Sequence, residues 1–220
     1  MNSVKVRIGH VLDWLSETNP DVALLQETKV EDGKFPAYEI EDRGYNVMTL
    51  GQKAYNGVAI LAKSPIEDVL RGLPGDPSDE QARYLEATIG GLRIASLYLP
   101  NGNPVASDKF PYKIGWMKRL RDRVGELLDS EETFVLGGDY NICPDDADVY
   151  DPADFAADAL CQPESRGLFR EILYMGVTCP QLAASRDAKG MVRVNVASVD
   201  TTDSGWLTKC FGMLKGAPLG

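Results

Sequence analysis

The chain has 220 residues, of which 44% are hydrophobic and 25% charged, with a formal net charge of −10. These proportions are those of a globular domain, and the negative charge argues against a protein that binds nucleic acid over its whole surface. No apolar run approaches the roughly 20 residues of a membrane span, and residues 1–15 lack the apolar core of a signal peptide. We therefore expect a single domain, 1–220, that lies in the cytoplasm without membrane contact.

The N-terminal part of the chain predicts one helix followed by three strands. Apolar residues at helical spacing from Val4 to Leu15 predict a helix over residues 3–18, which Asn19-Pro20 ends. The apolar run VALLQ, residues 22–26, predicts a buried strand, and Glu27 follows it directly. Residues 46–50 and 57–63 predict two further strands, joined by the turn residues GQKAYN.

The middle of the chain predicts a hairpin, a helix and another strand. After a polar loop over residues 72–83, residues 85–89 and 92–100 should pair as antiparallel strands because Gly90-Gly91 lies between them. Apolar residues from Met117 to Leu128 are spaced as in a helix, and residues 133–138 predict a strand. Residues 153–176 predict a third helix, and 191–198 a further strand. This alternation of strands and helices predicts an α/β sandwich with mixed sheets inside and helices outside.

Polar side chains follow three of these predicted strands. Glu27 follows the first, Tyr98 lies near the end of the hairpin, and Asp139 and Asn141 follow FVLGG. Strand ends that meet at one sheet edge can carry a site, and oxygen ligands of this kind suit Mg²⁺ and phosphodiester hydrolysis. Each also has an ordinary structural interpretation: Glu27 could cap a turn, Asp139 and Asn141 could form an Asx-turn, and Tyr98 could be core.

Five segments in order resemble one protein family. They are LLQETKV (24–30), GYNVMTLGQKAYNGVAIL (44–61), YLPNG (98–102), KFPYK (109–113) and GGDYNICPDDADV (137–149). They resemble the exonuclease III branch of the endonuclease/exonuclease/phosphatase superfamily, over residues 2–177. The resemblance implies a DNase I-like two-sheet α/β sandwich, here incomplete. It also implies a monomeric, Mg²⁺-dependent nuclease, with Mn²⁺ as an alternative ion, that acts on double-stranded DNA at abasic sites and 3′ ends.

The same resemblance implies roles for individual residues. Glu27 corresponds to the metal-binding glutamate, and Asp139 to the aspartate that orients or deprotonates the attacking water. Asn141 corresponds to its companion, which contacts the phosphate or the aspartate, and Tyr98 to a tyrosine that donates to the scissile phosphate. Residues beside the motifs are candidate DNA contacts, since phosphate contacts mostly position DNA, although each could equally be solvated surface: Lys29, Lys53, Tyr55, Asn56, Lys109 and Lys113.

Two parts of the family pattern are missing from this sequence. The opening strand is absent, and the closing Ser-Asp-His motif is absent because His10 is the one histidine. We therefore expect a family-like catalytic domain over 1–177, a divergent and irregular tail over 178–220, and weak or no activity. A late start codon and a shifted reading frame are hypotheses for these two ends. The alternative functions are a catalytically inactive DNA-binding remnant and a phosphatase of the same superfamily acting on small phosphoesters.

Overall fold

The computed structural model describes residues 1–177 and the backbone of Cys210–Lys215. Its helices are α1 (Val4–Thr18), α2 (Ala37–Glu41), α3 (Lys109–Asp129) and α4 (Pro163–Tyr174). Its strands are β1 (Val22–Gln26), β2 (Asn46–Leu50), β3 (Val58–Ala62), β4 (Glu67–Arg71), β5 (Tyr84–Ile89), β6 (Leu92–Tyr98), β7 (Phe134–Asp139) and β8 (Cys210–Lys215). Among the helices of these described residues, none is both long and apolar enough to cross a membrane.

The strands form two sheets. The first has the order β1-β3-β2 and is antiparallel throughout. The second has the order β4-β5-β6-β7-β8, in which β6 and β7 run parallel and the other neighbours antiparallel. Because parallel neighbours need a crossover connection, α3 joins β6 to β7 across the outer face of the second sheet. The predicted two-sheet α/β sandwich is confirmed.

Three apolar clusters hold these layers together. The first lies between the sheets and contains Val58 and Ile60 from β3 and Leu85 and Ala87 from β5. The second packs α1 against the first sheet, and the third packs α3 and α4 against the second sheet, with Trp116 at 1% exposure among its members. Both sheets are therefore covered on the inside by each other and on the outside by helices.

The structure corrects the prediction of a helix over residues 153–176. Residues 153–162 form turns, and α4 begins only at Pro163. Asp side chains bond to nearby backbone amides, Asp151 to Ala153 at 2.9 Å and Asp158 to Leu160 at 2.8 Å, which competes with helical hydrogen bonding. Proline is well suited to the first turn of a helix because its missing N–H is not needed there.

The C-terminal part of the chain contributes one strand that the sequence did not predict. β8 pairs antiparallel with β7 over its whole length, so β7 is not an edge of the second sheet. The short elements α2 and β4 were likewise not predicted. The predicted strand at 191–198 lies outside the described residues. The irregular tail over 178–220 stays a prediction for the residues other than Cys210–Lys215.

Candidate active site at the ends of β1, β6 and β7

Buried polar contacts between the two sheets place Glu27 beside Tyr98. The Gln26 Nε2 donates to Ser96 Oγ at 3.0 Å, and that hydroxyl donates to the Leu25 carbonyl at 3.2 Å. Ser96 and Tyr98 are two residues apart on β6 and so point to the same face. Glu27, which follows Gln26 directly, lies at the end of β6, where the Tyr98 hydroxyl donates to its carboxylate.

Two glycines before Asp139 allow a close approach of backbone and side chains. A Cβ at Gly137 would lie 2.5 Å from the Leu24 Cδ1 of the other sheet, and a Cβ at Gly138 would lie 1.9 Å from the Leu97 carbonyl oxygen. Gly138 has φ +151°, a conformation that side-chain-bearing residues rarely adopt. The Gly-Gly pair therefore lets β7 end with Asp139 pressed against the neighbouring strands.

Replacing Gly138 by alanine should destabilise the fold by about 3 kcal/mol or more, since the new methyl meets backbone atoms that cannot move aside. The matched control is Gly115→Ala in α3, where a Cβ meets nothing within 4 Å and the stability should rise by about 0.5–1 kcal/mol. Urea unfolding of both variants measures the effect. Equal midpoints for Gly138→Ala and the unmodified chain would contradict this prediction.

Asp139 and Asn141 form a second pair next to Glu27 and Tyr98. In the parallel ladder Tyr98 and Asp139 are direct partners. The Asn141 amide donates to Asp139 Oδ1 at 2.9 Å. This bond forms the Asx-turn that the sequence suggested as an alternative for these two residues. The Asn141 side chain donates to the Leu99 carbonyl at 2.8 Å and accepts from Asn101 at 3.3 Å. The structure thus brings all four predicted site residues to one end of the two sheets.

Burial sets the protonation of this group. It raises the pKa of Asp139 to about 6, and the negative charge of Glu27 adds to the increase, while the Asn141 amide opposes it. Burial also raises the pKa of Tyr98 well above its usual range, and the hydrogen bond to Glu27 acts in the same direction. At neutral pH the Asp139 carboxyl is therefore largely ionised, and the Tyr98 phenol stays a hydrogen-bond donor.

The oxygen ligands at this edge fit a hard cation that keeps most of its waters. The described residues contain no group of three or more His, Cys, Asp or Glu side chains placed to hold a metal, as a zinc site would require. Mg²⁺ needs only one or two carboxylates. The negative charge of Glu27 contributes to the raised pKa of Asp139, and a cation between these carboxylates would offset that repulsion. Glu27 also pairs with the Lys29 ammonium at 3.3 Å.

Three of the candidate DNA contacts have the exposure that such a role needs. Lys53 and Lys109 are exposed, and Tyr55 is 70% exposed. Lys29 is partly buried because its ammonium donates to Asn2 Oδ1 at 2.7 Å as well as pairing with Glu27. Cations near a strand-end site can meet phosphates, so these residues stay candidates.

Two other candidates are placed differently. Asn56 is only 8% exposed, and its side-chain nitrogen donates to Gln52 at 3.0 Å and Gln81 at 3.2 Å, which joins two loops. Lys113 has 0% exposure, and this burial does not support its predicted contact with DNA. Lys113 was a candidate because it lies in the KFPYK segment, but it belongs to the buried face of α3.

Arg83 is a site residue that the sequence did not indicate. Its guanidinium lies 4.9 Å from the centre of the Tyr98 ring, and its Nη1 donates to the Tyr98 carbonyl at 3.2 Å. A cation over an aromatic face is attracted to it. Arg83 ends a polar loop, and only the pairing of β5 with β6 brings it next to Tyr98.

Comparison with known proteins gives consistent similarities. Residues 2–211 match the profile of the endonuclease/exonuclease/phosphatase family. Exodeoxyribonuclease III of Haemophilus influenzae is 36% identical over 155 residues, which are 68% of this chain and 58% of that protein. An AP endonuclease from Archaeoglobus fulgidus has a TM-score of 0.82 and 31% identity over 96% of this chain and 83% of that one. The 3′ phosphatase NExo from Neisseria, bound to a product DNA hairpin, has a TM-score of 0.77 and 38% identity over 80% of this chain and 69% of that one.

The curated relatives are longer than the part that this chain matches. The matched segments span 54% to 64% of the length of those from Haemophilus influenzae, Bacillus subtilis and Danio rerio. The chain therefore spans between about half and two thirds of the length of these relatives.

Proposed function

Since the chain belongs to the endonuclease/exonuclease/phosphatase family, in the branch of the exodeoxyribonucleases III and AP endonucleases, we propose that it hydrolyses phosphodiester bonds of double-stranded DNA in repair. Its substrates in this proposal are abasic sites and 3′ ends, and its ion is Mg²⁺, with Mn²⁺ as the alternative. One observation carries the proposal. Glu27 is hydrogen-bonded to Tyr98 and Asp139 to Asn141, and the two pairs are neighbours because Tyr98 and Asp139 are partners in the parallel ladder.

Asp139 is proposed to orient the attacking water and to accept its proton. A general base works best when its pKa lies near the working pH, and burial brings the pKa of Asp139 to about 6. The ionised form is required, so cleavage should be lost as the pH falls through about 6. A cation bound nearby would lower the pKa of Asp139, so cleavage would then be lost at a lower pH. The Asn141 amide, which donates to Asp139 Oδ1, holds the carboxylate in place.

Glu27 and Tyr98 are proposed to act on the scissile phosphate, Glu27 through a bound metal ion and Tyr98 by a hydrogen bond. Glu27 would hold the metal ion, which when bound polarises a phosphoryl oxygen and offsets its charge. The Tyr98 phenol is neutral at neutral pH, and its raised pKa keeps it neutral in alkaline solution as well, so it adds no further negative charge next to a phosphate. In the structure its hydroxyl donates to Glu27, and the same donor can turn to a phosphate oxygen.

The exposed cations beside the site are proposed to bind the DNA backbone. Lys53 and Lys109 are exposed, and Tyr55 is available to pack against a sugar or base. The net charge of −10 makes a confined basic surface more plausible than a general one. The NExo relative binds a product DNA hairpin in its structure, which supports a nucleic-acid substrate.

A cleavage assay separates this proposal from its alternatives. The substrates are a duplex with one abasic site, a duplex with recessed 3′ ends, and a duplex with a 3′ phosphate, because one relative is called a 3′ phosphatase. We expect cleavage that needs Mg²⁺ or Mn²⁺ and stops with a chelator. DNA binding without cleavage would favour the inactive remnant, and hydrolysis of p-nitrophenyl phosphate alone would favour the phosphatase. The cleavage rate on the abasic-site duplex in the same assay tests the expectation of weak or absent activity.

A further inference from the structure

Lys113 is a charged side chain in an unusual environment. Among the described residues it is the one lysine that is buried, with 0% exposure. Its ammonium donates to the Pro100 carbonyl at 3.2 Å and to the Asn141 carbonyl at 2.5 Å. Removing an ammonium from water costs several kcal/mol, and an apolar side chain on this face of α3 would avoid that cost. The explanation for this buried lysine therefore lies in the two carbonyl groups to which it donates hydrogen bonds.

The two carbonyls belong to the two loops that carry the site. Pro100 lies two residues after Tyr98 at the end of β6, and Asn141 lies two residues after Asp139 at the end of β7. The backbone hydrogen bonds between the two strands end where the Leu99 amide donates to the Asp139 carbonyl at 2.8 Å. Beyond that point side chains join the two loops. Asn141 donates to the Leu99 carbonyl and accepts from Asn101, and the Lys113 ammonium binds one carbonyl of each loop.

The turn at Asn141 depends on fixed partners. Asn141 has φ +43°, a left-handed conformation that costs about 1 kcal/mol or more in a residue other than glycine. Its amide donates to Asp139 and its side chain to the Leu99 carbonyl. Its own carbonyl is directed at Lys113. Without that donor a buried carbonyl would lose its bond, which costs about 1–3 kcal/mol, and the turn that orients Asp139 would be free to relax.

The neighbouring loop leaves space for the lysine. Gly102 has φ +89°, and a Cβ there would lie 2.7 Å from the Lys113 Cδ and 3.1 Å from the Ala159 Cβ. The absence of a side chain at Gly102 therefore lets the lysine chain pass beneath the loop. The segments YLPNG and KFPYK, which are separate in sequence, thus form one packed unit.

We propose that Lys113 is a positioning residue that holds the loops after β6 and β7 together, so that Asp139 and Asn141 keep the geometry needed for cleavage. It does not contact DNA. This assignment rests on the proposed phosphodiesterase function for its effect on rate, although its effect on loop order is independent of it. A displacement of about 1 Å at a reacting group can cost up to about 10²-fold in rate.

The test compares Lys113→Met, which removes the donors and the charge, with Lys113→Gln, which keeps a donor. The control is Lys118→Met, an exposed lysine in the same helix. For Lys113→Met we expect kcat on abasic-site duplex to fall about 10- to 100-fold with KM nearly unchanged. Lys113→Gln should recover part of kcat, and Lys118→Met should match the unmodified chain.

Amide hydrogen exchange provides the measurement that does not depend on cleavage. In Lys113→Met, peptides that cover residues 99–103 and 139–143 should lose protection, while α1 and β3 keep theirs. If the unmodified chain cleaves nothing, the proposed function fails, and exchange alone decides the assignment of Lys113.

Three outcomes would overturn the assignment: unchanged kcat in folded Lys113→Met, a loss confined to KM, or unchanged exchange in both loops. If Lys113→Met does not fold, Lys113→Gln is measured in the same way. Failure of both to fold would make Lys113 a stability residue and end the positioning proposal.

Discussion

Asp139→Asn should lower cleavage of abasic-site DNA by about 10²- to 10⁴-fold, which is the usual contribution of a general base. Asparagine preserves the shape and can still accept the hydrogen bond from the Asn141 amide at 2.9 Å. It cannot accept a proton from water. Single-turnover cleavage measures the chemical step directly, and Asp13→Asn, a change at an exposed carboxylate in α1, is the matched control. Retention of full activity would remove Asp139 from its proposed role.

The same variant should be more stable than the unmodified chain in metal-free solution at neutral pH. Burial raises the folded-state pKa of Asp139 from 3.8 to about 6. A raised pKa means that the folded state favours the protonated carboxyl, so this stabilisation is present below about pH 4 and is lost as the pH rises through about 6. Asparagine does not ionise, and Asp139→Asn should therefore gain about 1–3 kcal/mol above pH 6.

Chemical unfolding at several pH values in the presence of a chelator checks this second effect. The stability difference between the variant and the unmodified chain should grow between pH 4 and pH 6 and level off above it. A difference that is independent of pH would show that Asp139 is not destabilised by its surroundings. A gain in stability together with a loss of rate is the pattern expected of a strained catalytic group.

Glu27→Gln should reduce cleavage by about 10²-fold or more at limiting Mg²⁺, because it removes a carboxylate that would hold the ion while leaving a side chain of the same size. Raising the Mg²⁺ concentration should restore part of the rate. Glu31→Gln is the control, since Glu31 is a nearby surface carboxylate that pairs with Lys34. An unchanged Mg²⁺ dependence in Glu27→Gln would refute the proposed metal role.

The charge of Glu27 also gives a prediction that does not involve cleavage. Its negative charge contributes to the raised pKa of Asp139. Glu27→Gln removes that charge, so the Asp139 carboxyl should titrate at a lower pH in the metal-free variant. Carbon NMR of the Asp139 carboxyl follows this directly, and a pKa that stays at its original value would mean that the two carboxyls do not interact.

From the sequence alone, the positions of most helices and strands were predictable. The helix at Val4–Thr18 and the hairpin around Gly90-Gly91 follow from apolar spacing and turn residues, which are local properties of the chain. The motifs around Glu27, Tyr98 and Asp139 could be read for the same reason, since each lies at the end of a strand. The turns at 153–162 could not, because Asp side chains bonded to the backbone in competition with the helix.

Only the tertiary structure decided which of these residues meet. The spacing of residues along the chain does not report that Arg83 lies over Tyr98 or that Gln26 bonds to Ser96, because both contacts depend on how the strands pair and the sheets pack. The same holds for Lys113, whose charge suggests an exposed residue. Its burial follows from the packing of α3 on the sheet. Two backbone carbonyls accept hydrogen bonds from its ammonium, and the absence of a side chain at Gly102 leaves room for its aliphatic chain.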